Sequence, residues 1–273
     1  MDPLASATMA TAVFFHAHPD DEAIATAGTM ARMAADGHRV VLVTATRGEL
    51  GEVPDGLLAA GETLVERRTK ELAAACAVLG VARHEFLEYG DSGMEGEDSN
   101  NDPGCFWQAD VEEAARRLAA VLEEEGAEIL TAYDERGNYG HPDHIQVHRV
   151  GLRAGELAGT PRVFMATVNR DHLHRLVETA DGATLLATED ERPSIDNLGV
   201  AEERMTTAVE VAAFLDQKRR AMEAHASQIS ETSFFLSMPA EAFAAVWGVE
   251  WYIRVGAEAT LPFDSSLLAD ATG

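Results

Sequence analysis

Two short segments of the chain are dense in the side chain types that bind metal ions. The first is His-Pro-Asp-Asp-Glu at 18–22, and the second is His-Pro-Asp-His at 141–144. Imidazole and carboxylate groups together suit zinc and other borderline divalent metals. Three protein ligands leave one position open for water, and the bound metal lowers the pKa of that water toward ~7. The two segments therefore predict metal-assisted hydrolysis.

Most residues of these segments have a role that their chemistry suggests. His18 and Asp21 come from one turn and His144 opens a helix after the other, so we predict these three as the metal ligands. Asp20 adjoins the ligands without being needed as one. A carboxylate in that place can take a proton from water and pass it to a leaving amine. We therefore predict Asp20 as the general base.

The second segment also offers a hydrogen-bond donor. We predict that His141 donates to the developing oxyanion or to the leaving group, and that Asp143 fixes the orientation of its ring. Either segment alone has another interpretation, because an aspartate before a helix is an ordinary cap and a proline fixes a turn. The occurrence of both, each directly after an apolar strand pattern, favours the catalytic interpretation.

Strand and helix patterns alternate over the first 170 residues. Short apolar runs predict strands at 12–16, 39–44, 84–88, 128–132 and 162–167, and helical spacing predicts helices at 22–36, 62–79, 109–125 and 144–157. This alternation predicts an α/β fold, a Rossmann-like doubly wound, mainly parallel sheet of order 3-2-1-4-5 with helices on both faces. In that order the first and fourth strands are neighbours, so the two segments meet at the edge where such sheets bind ligands.

The pattern weakens after residue 170. A helix is predicted at 205–227 and a strand or hairpin at 246–255, whereas 168–204, with its acidic stretch 189–191, has no interpretable pattern. We interpret the chain as one domain, 1–273, with a core of about 10–170 and a small C-terminal extension of about 171–273. Loops at 45–61 and 89–108 are long enough to suggest a functional role.

Composition excludes several classes of partner. The net charge is −26, with 47 acidic and 21 basic residues, so phosphate backbones and anionic bilayers should be repelled. We expect no nucleic-acid and no membrane partner, and homo-oligomerisation stays open. Two cysteines make no disulfide framework, no apolar run is long enough to span a bilayer, and the first residues lack a signal peptide pattern. These features predict a cytoplasmic protein.

The two segments resemble those of the GlcNAc-phosphatidylinositol de-N-acetylase family, also called PIG-L or LmbE-like. The resemblance continues through 44–52, 66–79, 91–94 and the Ala-His-Ala-Ser-Gln-Ile stretch at 224–229. Within the family the chain is most similar to the mycothiol deacetylase and mycothiol S-conjugate amidase group. The Asp-Pro-Gly-Cys-Phe stretch at 102–106 and the 224–229 stretch resemble the amidase in particular.

The resemblance implies a Rossmann-like fold and a zinc, or alternatively iron, site made from His18, Asp21 and His144. It implies acid/base chemistry at Asp20 and an electrophilic or proton-donating role for His141. It also implies that Tyr139 assists at the substrate carbonyl and that Arg68 and Asp91 contact the sugar. Separately, the place of Glu49 in the loop after the second strand predicts either a substrate contact or a cap.

The sequence thus predicts a metal-dependent N-deacetylase or amidase that removes an acyl group, acetyl in the first instance, from a GlcNAc-like aminosugar. Two alternatives within this class are a mycothiol S-conjugate amidase and a natural-product tailoring enzyme. Two others come from different classes. A non-catalytic sugar-binding protein would have no need of the proton shuttle at Asp20, and a metalloprotease would carry an HExxH helix, which is absent.

Overall fold

A seven-stranded sheet organises the part of the chain that the structure describes. The computed structural model describes residues 9–178, 195–259 and 261–269, so the acidic stretch 189–191 lies outside the described residues. The strand order is β3-β2-β1-β4-β5-β7-β6. The strands are β1 (Thr11–His16), β2 (Arg39–Thr46), β3 (Arg83–Tyr89), β4 (Ile129–Tyr133), β5 (Arg162–Thr167), β6 (Thr207–Glu210) and β7 (Val249–Arg254). β1 to β5 are parallel, and β7 runs antiparallel to both β5 and β6.

β1 lies at the centre of the sheet. Its residues 12–16 are buried, as expected of a parallel strand with helices over both faces. Val13 lies opposite Val41 of β2 on one side and opposite Leu130 of β4 on the other. The predicted fold class and core order 3-2-1-4-5 are therefore confirmed, and with them the adjacency of the first and fourth strands.

The helices are α1 (Asp21–Ala25), α2 (Ala27–Ala35), α3 (Leu64–Leu79), α4 (Val111–Glu125), α5 (Gly137–Gly140), α6 (Pro142–Ala158), α7 (Arg170–Val177), α8 (Leu215–Ala224), α9 (Phe234–Ser237) and α10 (Ala240–Trp247). α2, α3 and α8 contact one another, and α4 packs against α6. The start of α3 is fixed by a reciprocal capping box between Thr63 and Glu66. Its end is fixed by Gly80, at φ 74° in the left-handed region.

Two predicted helices are wrong in part. The helix predicted at 22–36 is broken at Thr26, whose φ of −136° is not helical and whose hydroxyl lies 2.9 Å from Nε2 of the buried His16. The helix predicted at 205–227 begins only at Leu215. Thr207–Glu210 before it is strand β6, because alternating β-branched residues suit a pleated surface better than a helix.

The C-terminal part of the chain is tied to the core through the sheet and through buried polar contacts. Glu250 of β7 accepts the backbone N–H groups of Gly28 and Thr29, both at 2.8 Å. Lys218 of α8 donates to the carbonyl of Ile24 and to Glu250, both at 2.7 Å. These contacts support the one-domain interpretation, which stays a prediction, and they fix the α1–α2 region that carries part of the site.

Candidate active site

The two segments predicted to bind a metal meet beyond the carboxyl ends of β1 and β4. His18 follows β1 by two residues, and His141 and His144 stand at the start of α6. The ring centroid of His18 lies 4.7 Å from that of His141 and 5.4 Å from that of His144. All three imidazoles are buried, with at most 7 % exposure. Segments some 120 residues apart therefore form one compact cluster, as the adjacency of the two strands predicts.

Asp21 lies between two of these imidazoles. One carboxylate oxygen is 3.5 Å from Nδ1 of His18, and the other is 3.3 Å from Nε2 of His144. Ligands at about 2.1 Å from a tetrahedral zinc ion are separated by about 3.4 Å, so both spacings suit ligands that share a metal. The other ring nitrogen of His144, Nδ1, is buried without a hydrogen-bond partner among the described residues. The donor set of two imidazoles and a carboxylate thus fits the predicted metal.

Two groups of possible ligands have atoms that all lie within 4.8 Å of one another, one formed by His18, His141 and His144 and the other by His18, Asp91 and Asp143. Nε2 of His18 lies 3.1 Å from Asp143 and 3.5 Å from Asp91. Both carboxylates already accept hydrogen bonds from the chain, Asp91 from Gly93 N–H at 2.9 Å and Asp143 from Ser92 N–H at 3.0 Å. Oδ2 of Asp21 likewise accepts the backbone N–H of His18, at 2.8 Å, so this property alone does not distinguish Asp21 from them. We interpret Asp143 as the acceptor for Nε2–H of His18 because that nitrogen lies within hydrogen-bond distance of it, which leaves Nδ1, on the Asp21 side of the ring, for a metal.

The carboxylate of Asp143 orients His18 rather than His141, in contrast to the prediction. It accepts from Nε2–H of His18 and from the backbone and hydroxyl of Ser92. The backbone N–H of Asp143 donates to Nδ1 of His141 at 3.1 Å. His141 precedes α6 as its N-cap residue in an extended conformation, with φ −61° and ψ 133°, whereas Asp143 lies inside the helix, so the two side chains need not face each other.

The contact from Asp143 sets the protonation of His141. Because Nδ1 accepts a hydrogen bond, the ring proton of neutral His141 is on Nε2. Burial, followed by the nearby His18 and His144, lowers the pKa of His141 to about 3. At neutral pH this ring is a neutral donor, which suits the predicted contact with an oxyanion.

Asp20 is next to the predicted ligands, but its side chain does not cap the helix that follows. Its side chain makes no capping hydrogen bond to α1, and one carboxylate oxygen lies 3.2 Å from Nη2 of Arg68. Burial raises the pKa of Asp20 to about 6, while the charge of Arg68 opposes this rise and that of Asp21 adds to it. A carboxylate with such a pKa suits proton transfer near neutral pH.

Tyr139 stands at the mouth of the cluster. It belongs to the short helix α5, which is kinked at Asn138 with a φ of 66°. Its hydroxyl lies 3.5 Å from Nε2 of His144, and its side chain remains 41 % exposed. The geometry places a phenol O–H beside the cluster, on its solvent-exposed side.

The three residues predicted to bind substrate surround the same cluster. Arg68 is only 3 % exposed and donates to the carbonyls of Gly48 and Pro19, at 2.8 and 2.5 Å. Glu49 is exposed and accepts the N–H of Asp91 at 3.0 Å. A substrate contact of Arg68, Asp91 and Glu49 stays a prediction, and their contacts within the chain support the loops around the site.

Several contacts that support the site were not predicted from the sequence. Ser92 holds Asp143, and the ring of Tyr133 stacks on that of His144 with centroids 4.7 Å apart. Glu22 contacts His225 at 2.6 Å across 203 positions. Ser92 and His225 lie in the stretches 91–94 and 224–229 that carry the family resemblance, but nothing local in the sequence predicts the contact of Ser92 with Asp143 or that of Glu22 with His225.

Two further observations bear on the setting of the protein. Among residues 9–178, 195–259 and 261–269, no helix has the length and apolar character needed to cross a membrane. Cys76 and Cys105 are both free and buried.

Comparison with known proteins identifies the family. A family model described as PIG-L, GlcNAc-PI de-N-acetylase, matches residues 13–155. The chain is 44 % identical over 255 residues to a protein of Acidothermus cellulolyticus named 1D-myo-inositol 2-acetamido-2-deoxy-alpha-D-glucopyranoside deacetylase, with 87 % of this chain and 86 % of the relative covered. The chain belongs to the PIG-L family. The predictions of that family and of an amide-cleaving deacetylase are therefore confirmed.

Solved structures support the fold. A conserved protein from Thermus thermophilus is 22 % identical, with a TM-score of 0.59, and the match covers 96 % of this chain and 100 % of that one. The 4-carboxy-2-hydroxymuconate hydratase from Pseudomonas putida is 18 % identical, with a TM-score of 0.57 and coverage of 92 % and 98 %. A hydratase shares this fold, so the fold alone does not define the reaction.

Proposed function

We propose that this chain is a metal-dependent N-deacetylase that removes the acetyl group from a small GlcNAc-inositol type aminosugar. The observation that carries the proposal is the position of the Asp21 carboxylate between Nδ1 of His18 and Nε2 of His144. The neighbouring Asp20 has a carboxylate that makes no capping hydrogen bond to the helix. The inositol-linked acetamido sugar in the name of the Acidothermus relative supports the substrate class. The free, buried cysteines fit a cytoplasmic setting.

His18, Asp21 and His144 would hold the metal, which we propose to be zinc, with iron as the alternative. When bound, such an ion polarises an amide carbonyl and lowers the pKa of water. Nε2–H of His18 donates to Asp143, which fixes the ring so that Nδ1 faces Asp21. A hydrogen bond from the far ring nitrogen to a carboxylate is the usual support of a metal-binding histidine.

Asp20 is the residue that would transfer the proton. With its pKa raised by burial to about 6, Asp20 is ionised at neutral pH and basic enough to take a proton from the attacking water. The same group then gives that proton to the amide nitrogen as the C–N bond breaks. A neutral amine leaving group needs this proton, because an unprotonated amide nitrogen is a poor leaving group.

Charge on the former carbonyl oxygen would be stabilised by two donors. Nε2–H of His141 stays protonated because Nδ1 is occupied by the backbone N–H of Asp143. The hydroxyl of Tyr139 lies on the exposed side of the same cluster. Preorganised donors of this kind contribute most where water is excluded.

Acetate release from N-acetylglucosaminyl-inositol tests the proposal. The wild type, a metal-stripped sample with and without added Zn²⁺, and Asp20→Asn are assayed together. We expect loss of turnover on stripping, recovery with Zn²⁺, and a drop in kcat of about 10²–10⁴-fold for Asp20→Asn. Asp36→Asn, at an exposed carboxylate after α2, is the matched control and should keep wild-type kcat.

The rival functions give different results in the same assay. Release of the acyl-cysteine from a mycothiol S-conjugate without acetate release would favour the S-conjugate amidase. Saturable binding of the acetylated sugar with no turnover in any metal-loaded sample would favour a sugar-binding protein. Either result would contradict the proposed deacetylase.

A further inference from the structure

Asp20 has a backbone conformation that residues with a Cβ atom rarely adopt. Its φ is 120° and its ψ is −28°, although it directly precedes α1, where an aspartate ordinarily takes an extended conformation and caps the helix. Strained conformations of this kind persist only where the surrounding structure imposes them, and they are concentrated at functional sites. The contacts that hold Asp20 are therefore part of how the site works.

One peptide unit beside Asp20 is held at both of its polar atoms. The carbonyl of Pro19 accepts from Nη2 of Arg68 at 2.5 Å, and the N–H of Asp20 donates to Oε2 of Glu22 at 3.0 Å. These two atoms belong to the same Pro19–Asp20 peptide. Because that plane cannot rotate without losing one of the two bonds, its orientation is fixed, and with it the unusual φ of Asp20.

Glu22 is itself held from a distant part of the chain. Its other oxygen, Oε1, lies 2.6 Å from Nε2 of His225, at the C-terminal end of α8. Both side chains are 0 % exposed. A buried carboxylate needs such a partner, because an unpaired charge away from water is strongly unfavourable. The C-terminal extension thus contacts the backbone of Asp20 through a single intermediate side chain.

We propose that Glu22 and His225 are positioning residues that aim the Asp20 carboxylate at the reacting amide. Together with Arg68 they fix the Pro19–Asp20 peptide plane and keep Asp20 from relaxing into a helix cap. This inference rests on the proposed function, in which Asp20 transfers the proton. Neither Glu22 nor His225 needs to touch substrate for this role.

Glu22→Ala removes the acceptor for the Asp20 N–H. We expect kcat for acetate release to fall about 100-fold, the effect of misplacing a catalytic group by about 1 Å, with KM and metal content close to wild type. Glu22→Gln should rescue most of this loss, because its amide oxygen can accept from Asp20 and its NH₂ can donate to a neutral His225. His225→Asn, whose side chain is too short to reach Glu22, should lower kcat as Glu22→Ala does, and it replaces that variant if the latter does not fold.

Glu71→Ala is the matched control. Glu71 is also a buried carboxylate that holds the turn after α8, accepting the N–H and hydroxyl of Ser227 at 3.0 and 2.6 Å, but it has no contact with Asp20. It should lose stability and keep kcat. In the Asp20→Asn background, Glu22→Ala should add no further loss, since it acts through the group already removed.

Three results would overturn the inference alone: equal losses of kcat in Glu22→Ala and Glu71→Ala, loss of bound metal in Glu22→Ala, or an additive effect in the Asp20→Asn background. A wild type without turnover, or an Asp20→Asn variant with wild-type kcat, would overturn the proposed function and this inference with it.

Discussion

Replacing Lys218 with methionine should reduce the free energy of unfolding by about 3–5 kcal/mol, the usual effect of removing one partner from a buried ion pair. Lys218 is fully buried, and its ammonium donates to Glu250 and to the carbonyl of Ile24, both at 2.7 Å. Methionine replaces most of the aliphatic volume, so the cavity term is small. Glu250 keeps its two backbone N–H donors, which places the expected loss toward about 3 kcal/mol.

Urea denaturation of the wild type, Lys218→Met, Glu250→Gln and the double variant measures this effect. The double variant should be more stable than the sum of the single losses predicts, by at least about 1 kcal/mol, because the second change removes the charge that the first leaves unpaired. A loss below about 1 kcal/mol for Lys218→Met, or strictly additive losses, would show that Lys218 and Glu250 are not an energetically coupled pair.

Two other predictions follow from individual contacts. Asp143→Asn should weaken metal affinity about 10–100-fold in a chelator competition, because the His18 ring loses its carboxylate acceptor; unchanged affinity would contradict that role. Burial lowers the pKa of His84 from 6.5 to about 4, so the unfolded chain binds more protons between these values. Stability should therefore fall as pH drops from 6.5 toward 4, and His84→Gln should flatten that slope; parallel slopes would refute it.

Much of the fold could be predicted from sequence because its signals are local. Apolar runs such as 12–16 and the capping signals around Thr63 and Gly80 depend on neighbours within a few residues. The helix predicted at 205–227 was partly wrong because β6 has only four residues, and pairing with β7 decides its conformation. The break at Thr26 depends on His16, ten positions away, and no periodicity reveals it.

The residues that come together at the site could be predicted from the sequence, whereas most contacts between their side chains could not. Adjacency of β1 and β4 follows from the order of a doubly wound sheet, so the meeting of His18 with His144 could be expected. The direction in which each side chain points could not be expected from the sequence. Asp143 stands two positions after His141 yet supports His18, since the helix turns its carboxylate toward β1 and Ser92.

Metal binding by Asp21 is tested most directly by measuring the metal content per chain in the wild type, Asp21→Ala and Asp91→Ala after equilibration with Zn²⁺. The spacing of Asp21 from His18 and His144 predicts about one metal ion per chain in the wild type and in Asp91→Ala, and little in Asp21→Ala. Retention of the metal in Asp21→Ala with its loss in Asp91→Ala would contradict the proposed ligand set and place the metal on the Asp91 and Asp143 side of His18.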